Sequence, residues 1–446
     1  MPPGRRLAAL LLVLALVAVP PVVLQALCVG KTCDDTSVAS TRVPFCPLPE
    51  RVKTLIAAGY YGGRSPDVLG VTASTTLQGG SDPESDGALW PAASPLPDTR
   101  VPIVLFGDGV APNVTLPDGM ELDRIAPSLA EVLGFHRDHP EVRAGTAIPG
   151  IAGGAAPRLV VQIVWRGVGT ADLESSKGRW PFLRQLMRTE SAATLDGDTG
   201  SVPLDPAATL TTIGTGGPPS QHGITGPFVR NREGKVTRVW GPGAPTSVIS
   251  TLSDDLDAPV PLGRFGQAPL IGLVATDASD LGVIGGTWYL GHDRDDVAIA
   301  PGNPLPAARR LLDGGYGADA IPDVLAVVLD GSIATMDSRT QAIVDAVDAV
   351  GTTSALVVTA TGTTEPAAAS SGSVTQQVNG AASAGRPLVE ASVPGGLFLD
   401  QGVLEESRLS SSAAVEAMLE MRSPSDGEKL FADAFPGFAV SFARYC

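Results

Sequence analysis

The chain has 446 residues, enough for one large hydrophobic core or two ordinary ones. It is 43% hydrophobic and only 17% charged, and its formal charge is −16. That balance argues against nucleic acid and anionic lipid as partners, because phosphates are repelled, and no basic patch with interleaved aromatics stands out. With 39 prolines and 52 glycines the chain is rich in turns, without the periodicity of collagen or a coiled coil.

The first residues carry Arg5 and Arg6, and Leu7 to Val19 then follows without a polar side chain. This is a positive n-region before an apolar run of signal-peptide size. Pro20 and Pro21 interrupt it, and Val22 to Val29 is apolar apart from Gln25. Counted through the prolines, the run reaches the roughly 20 residues that cross a bilayer. The arginines would stay inside, which sends the body outward. Leu24 is bulky where a cleavage site needs a small residue. The expectation is a single-pass anchor over residues 1–30 with an extracytoplasmic body, held to the cytoplasmic membrane; the alternative is a secreted protein. The four cysteines are Cys28, Cys33, Cys46 and Cys446. Outside the cytoplasm they are disulfide candidates, and their spacing does not suit zinc.

Residues 31–50 read as a juxtamembrane stalk. A short helical pattern covers 51–58, and a buried strand covers 66–72. Residues 73–98 form a Ser/Gly/Asp/Pro loop. VPIVLF at 101–106 is a strand, and 123–133 an amphipathic helix with Asp123 as its cap and Gly134 at its end. A second series starts with the strand LVVQIVW at 159–165 and a helix at 180–187. A helix start at 207–213 precedes Gly214-Thr215-Gly216. Strands are expected at 270–275, 283–284 and 324–329, a helix at 338–350 and a strand at 355–359. Residues 361–387 are low-complexity and read as a mobile loop. A strand near Leu397, a helix over 410–421 and an apolar stretch at 438–442 close the chain. Alternating strands and helices predict an α/β fold, a mainly parallel sheet flanked by helices.

Several of these segments together resemble the alkaline phosphatase superfamily, in particular its type I phosphodiesterase and nucleotide pyrophosphatase branch. Residues 202–225 look like the family's nucleophile helix followed by its "TG…P…HGI" signature, with HGI at His222. Residues 159–187 are similar to its first strand and helix, and 324–364 to its late strand–helix–strand. The block VPIVLFG…DRIAPSLAEVLG…HPEVR resembles the family's late segment, yet it comes first here. Either the fold is circularly permuted, which adjacent chain ends tolerate, or residues 51–152 are a separate small α/β unit before a core at 153–446.

Enzymes of this family hold two metal ions against a Ser or Thr nucleophile, using Asp and His ligands. The resemblance allows each position to be checked. The first strand should end in Asp-Gly, and here it ends in Arg166-Gly167. The nucleophile position falls on Pro206, with Asp205 before it and Thr209 further along as the nearest hydroxyl. The late "TADHG" is Thr359-Ala360-Thr361-Gly362-Thr363, without either ligand. Only four histidines exist, His136, His139, His222 and His292. His222 reads as structural; His136 and His139 read as solvated or capping, and His292 as a loop residue. Asp330, in VVLDG, is a weak metal-ligand candidate, and Asp196 and Asp198 a weaker cation loop. The expectation is a family member without two-metal hydrolase activity, needing no cofactor, with a binding or scaffolding role toward an envelope ligand. The alternative is a metal-dependent phosphodiesterase or phosphatase, using zinc, manganese or magnesium on carboxylate-only ligands, with Asp205 and Thr209 as the weak catalytic candidates.

Overall fold

Seven strands form the main sheet, in the order β4-β2-β10-β3-β9-β7-β8. They are β2 (Arg100–Gly107), β3 (Leu159–Trp165), β4 (Ala192–Asp198), β7 (Ile271–Ala275), β8 (Asp296–Ile299), β9 (Asp323–Leu329) and β10 (Ser354–Ala360). This computed structural model describes residues 45–73, 98–190, 192–258, 268–286, 295–363, 371–382, 385–393, 395–422 and 427–445. The expected anchor at 1–30, most of the stalk, and Cys28, Cys33, Cys446 and His292 lie outside them. Among the described residues no helix is long and apolar enough to cross a membrane.

The five strands from β10 to β8 are mutually parallel, while β2 is antiparallel to both β10 and β4. Strands β3, β9 and β10 are buried at every residue. A parallel strand apolar on both faces needs helices on both sides. Two helix groups meet that need. Ile333–Val350 packs with Leu305–Asp313 and Pro181–Thr189; Pro206–Thr215 packs with Ile125–Val132, Leu252–Leu256 and the turn Ala278–Val283. The sheet is α/β as expected, and β2, from the early block, lies inside it. The described residues belong to one compact unit.

A second sheet, ordered β11-β12-β1-β13, is built from β1 (Val68–Thr72), β11 (Val389–Val393), β12 (Gly396–Leu399) and β13 (Phe431–Pro436). A small hairpin pairs β5 (Phe228–Arg230) with β6 (Val236–Arg238).

Four expectations need correction. The mobile loop at 361–387 contains a helix, Ser371–Ala382. Val374 and Val378, four residues apart, bury against Val415 and Met418, and that packing overrides the polar composition. Asp123 does not cap a helix: it sits inside a 3-10 turn, Leu122–Arg124, ahead of the helix Ile125–Val132. Val283 and Ile284 are no strand, because Asp277 starts the 3-10 turn Ala278–Val283. The end of the stalk belongs to the body: Phe45 is fully buried, edge-on to Phe435 at 5.1 Å between ring centroids. Beside it Cys46 is disulfide-bonded, with a partner outside the described residues.

Candidate functional site

The carboxyl ends of the parallel strands open onto one cleft of about 650 Å³. Arg166 follows β3, Thr276 and Asp277 follow β7, Pro301 and Gly302 follow β8, and Asp330 and Gly331 follow β9; Thr335 and Arg339 come from the helix Ile333–Val350. Such a crevice is where open α/β sheets bind ligands. Register sets the floor: Trp165 lies opposite Leu329 and Ala360, so Arg166 and Asp330 emerge side by side. The Arg166 backbone N–H donates to the Leu329 carbonyl at 2.8 Å.

The Arg166 guanidinium meets Asp280 at 2.7 Å, with Arg166 19% exposed and Asp280 fully buried. The other Asp280 oxygen accepts from the Thr276 backbone N–H and hydroxyl and from the Asp277 N–H, at 3.1–3.3 Å. Asp277 caps the turn through the Ser279 N–H at 2.8 Å, and it pairs outward with Arg238. The Asp280 carboxylate therefore already has a charge partner and three hydrogen bonds. Burial still pushes its pKa up, against the pull of Arg166.

Asp205 is 2% exposed and caps the helix Pro206–Thr215 through the N–H groups of Ala207 and Ala208, at 2.9 and 3.3 Å. Burial raises its pKa to about 6; nearby Arg166 opposes the rise and Asp280 adds to it. Asp205, Arg166 and Asp280 thus share one electrostatic environment. Pro206 is the first residue of the helix, as suits a residue with no N–H to offer. Thr209 is buried one turn on, with its N–H on the Asp205 carbonyl. Asp330 is exposed, and its Oδ1 accepts from the Gly331 N–H in a strand-end turn. Arg339 Nη1 donates to the Asp330 carbonyl at 3.1 Å.

Thr361 and Gly362 are stitched to the β3 loop. The Thr361 hydroxyl accepts from the Gly167 N–H at 2.9 Å, and the N–H groups of Thr361 and Gly362 donate to the Trp165 and Val168 carbonyls. The Thr363 hydroxyl donates to Asp172 at 2.8 Å. This segment closes the floor by hydrogen bonds and brings no metal-binding side chain. Among the described residues no group of three or more His, Cys, Asp or Glu converges to hold an ion. Among the described residues, the carboxylates at the cleft are Asp330 and Asp277, the latter paired with Arg238, while Asp280 is taken up by Arg166 and Asp205 caps a helix.

The histidines sit elsewhere. His222 is fully buried, and its Nδ1 accepts from the Ile224 N–H at 3.1 Å. That fixes the proton on Nε2, which faces the Thr212 hydroxyl at 3.1 Å. Burial, then the charge of Arg64, holds its pKa down to about 3. His139 is exposed beside Glu141. His136 borders a separate cavity of about 380 Å³ with Phe135, Arg137 and Arg143. In that loop the arginines do the capping. Arg137 and Arg143 share Asp255, and both donate to the Thr215 carbonyl at the end of the helix Pro206–Thr215. Asp196 and Asp198 hold no cation loop; they pair with Arg100 and Arg51 at 3.2 and 2.6 Å.

Sequence reasoning missed Asp280, Asp277, Thr276, Thr335 and Arg339. A signal existed for two of them. Asp277 and Asp280, three apart after a strand, spell a capping box. Nothing local links Asp280 to Arg166, 114 positions away.

No family model matches this chain, and no curated protein matches it. Among solved structures, the phosphonoacetate hydrolase of Sinorhizobium meliloti 1021, crystallised with phosphonoacetate, is similar at 14% identity and a TM-score of 0.28. The match covers 46% of this chain and 56% of that one, so the chain spans little more than half of that protein's length. A likeness of this size carries no argument about the site.

Proposed function

We propose that this is a membrane-tethered, extracytoplasmic protein of the alkaline-phosphatase-like class that binds a ligand in its strand-end cleft and does not perform two-metal hydrolysis. The observation that carries the reading is the ion pair between Arg166 and Asp280. A fixed cation stands where the resemblance puts the first metal ligand, and it is already neutralised from inside the protein. Two divalent ions need several anionic ligands, whereas Arg166 brings a positive charge and takes up the Asp280 carboxylate. Without a metal, attacking water keeps a pKa near 15.7. What remains is positioning chemistry. Arg166 and Arg339 present N–H donors, Thr335 presents a hydroxyl, and Asp277 and Asp330 present acceptors around one cleft. The order of segments supports the same class. Strand β2, from the block that leads the chain here, lies directly beside β10, the late strand of the resemblance.

A working phosphodiesterase or phosphatase is the second reading, favoured by one observation: Asp277 and Asp330 face the same cleft. A panel of chromogenic phosphomonoesters, phosphodiesters and sulfate esters separates the two, run with added zinc, manganese and magnesium. The binding reading expects no turnover, for the parent or for Arg166→Asp. Metal-dependent turnover lost in Asp330→Ala or Asp205→Ala would establish the second reading in its place.

A further inference from the structure

The strand-end cleft holds two opposite charges that do not meet. Arg339 Nη1 donates to the Asp330 carbonyl at 3.1 Å, so its guanidinium reaches the end of β9. The Asp330 carboxylate turns instead to the Gly331 N–H, 2.6 Å from Oδ1, and stays exposed. Among the described residues neither side chain enters an ion pair. The other charges lining the cleft are matched: Arg166 lies on Asp280 at 2.7 Å, and Asp277 on Arg238 at 3.2 Å. Arg339 and Asp330 are the cation and the anion left over.

The backbone keeps the space between them clear. Gly331 has a φ of +124°, in the region that favours glycine. A Cβ there would stand 4.0 Å from Arg339 Nη1 and from Thr335, so any larger side chain would begin beside the guanidinium. Parallel register adds Arg166 to the same spot. Trp165 lies opposite Leu329, which puts Arg166 beside Asp330 on strands about 4.8 Å apart. Arg166 meets Asp280 through Nη1, and a guanidinium has five N–H donors, so it has others to offer. Two guanidiniums therefore flank one carboxylate.

We propose that the cleft binds a free α-amino acid, its carboxylate held by Arg339 and Arg166 and its ammonium by Asp330. The inference deepens the proposed function and rests on its reading of the strand-end cleft as a binding site. A simple anion on the guanidiniums would lie against the Asp330 carboxylate and be repelled. A simple cation on Asp330 would face two guanidiniums. A ligand that carries both charges a few bonds apart satisfies both sides at once. Contact between a guanidinium and a carboxylate is charge-assisted and suits two parallel N–H···O bonds. The cleft, at about 650 Å³, is of the size that small-molecule sites have, and its far side at Pro301 and Gly302 leaves room for the ligand's side chain.

The test is isothermal titration of the full-length protein with the common amino acids, with inorganic phosphate as the anion control and ethylamine as the cation control. At least one amino acid is expected to bind. Its N-acetyl and carboxamide derivatives, which each lack one charge, should bind roughly tenfold more weakly or worse. Arg339→Gln and Asp330→Asn should each weaken it by a similar factor, with the thermal midpoint unchanged. Phosphate or ethylamine binding that these variants lose, with no amino acid bound, overturns the inference and leaves the cleft a binding site. An amino acid that both variants bind at full strength, or whose N-acetyl derivative binds as tightly, overturns it too, as does the absence of binding by every probe. Metal-dependent turnover of the ester panel overturns the binding reading itself, and this inference with it.

Discussion

The helix Pro206–Thr215 has an arginine–aspartate pair near each end, and the two pairs are built differently. At its carboxyl end Arg137 and Arg143 are each 5% exposed and share Asp255, at 9%. Their remaining donors go to carbonyls of Thr215, Ser250, Asp138 and His139. Those cations sit at the negative end of the helix dipole and close it. At the amino end, beyond Asp205, Arg166 meets Asp280 through Nη1 and keeps 19% of its side chain exposed along an open cleft. The comparison teaches how to read a buried ion pair. Where the guanidinium is buried and bonded to backbone carbonyls, the pair is structural; where it keeps an open face on a cleft, it is a surface a ligand can reach.

The largest effect is expected at the closed end. Asp255→Ala leaves two arginines buried without a counter-charge, and about 3–5 kcal/mol of stability should be lost, the usual cost of breaking a buried pair. Chemical denaturation measures it, and a loss under 1 kcal/mol would erase the distinction between the two ends.

A pH experiment probes the other end next. The Asp205 pKa is raised from 3.8 to about 6 by burial. Its favourable contribution is full below 3.8, where folded and unfolded chains are both protonated, and is lost as pH rises to about 6. Asp205→Asn keeps a good capping side chain and removes the charge. Relative to the parent, the variant should gain on the order of 3 kcal/mol between pH 3.5 and 7. A stability difference that does not change with pH would show that Asp205 is not held in an apolar setting.

Asp280→Ala should cost about 2–3 kcal/mol, less than Asp255→Ala because Arg166 can reach solvent. The double variant Arg166→Met with Asp280→Leu should recover most of that loss if the pair contributes little net stability. No recovery would mean that the pair holds the floor of the cleft together. The smallest effect belongs to Asp330→Ala, on an exposed side chain. Its thermal midpoint should correspond to a change within about 0.5 kcal/mol. A larger loss would make Asp330 part of the frame and not of the cleft's lining.

Legibility followed the range of the interactions. Strands β3, β9 and β10 are apolar runs whose burial depends on composition, so LVVQIVW, VLAVVL and ALVVT were readable. Strand β4, Ala192–Asp198, was not, because LDGD has the composition of a turn and is held as a strand by β2 and by arginines far off in sequence. The helix Ser371–Ala382 was hidden for a similar reason, since Val374 and Val378 find their partners only after the chain has closed the second sheet. At the site, Arg166 could be singled out because the resemblance puts a metal ligand at its position, Asp205 because it precedes the nucleophile position at Pro206, and Asp330 because VVLDG would pass for a metal-binding strand end. Asp280 could not, because its role exists only across the 114 residues that separate it from Arg166. His222 was readable as structural from its place in HGI, and its buried, neutral ring agrees.

The most direct test of the account is the metal content of the full-length protein, purified without chelators and dialysed against zinc, manganese and magnesium. The account predicts less than a stoichiometric amount of each, unchanged by Asp330→Ala, because Arg166 puts a positive charge at the strand ends and takes up the Asp280 carboxylate. Two tightly held ions per chain, lost in Asp330→Ala, would contradict it and make the cleft a metal centre.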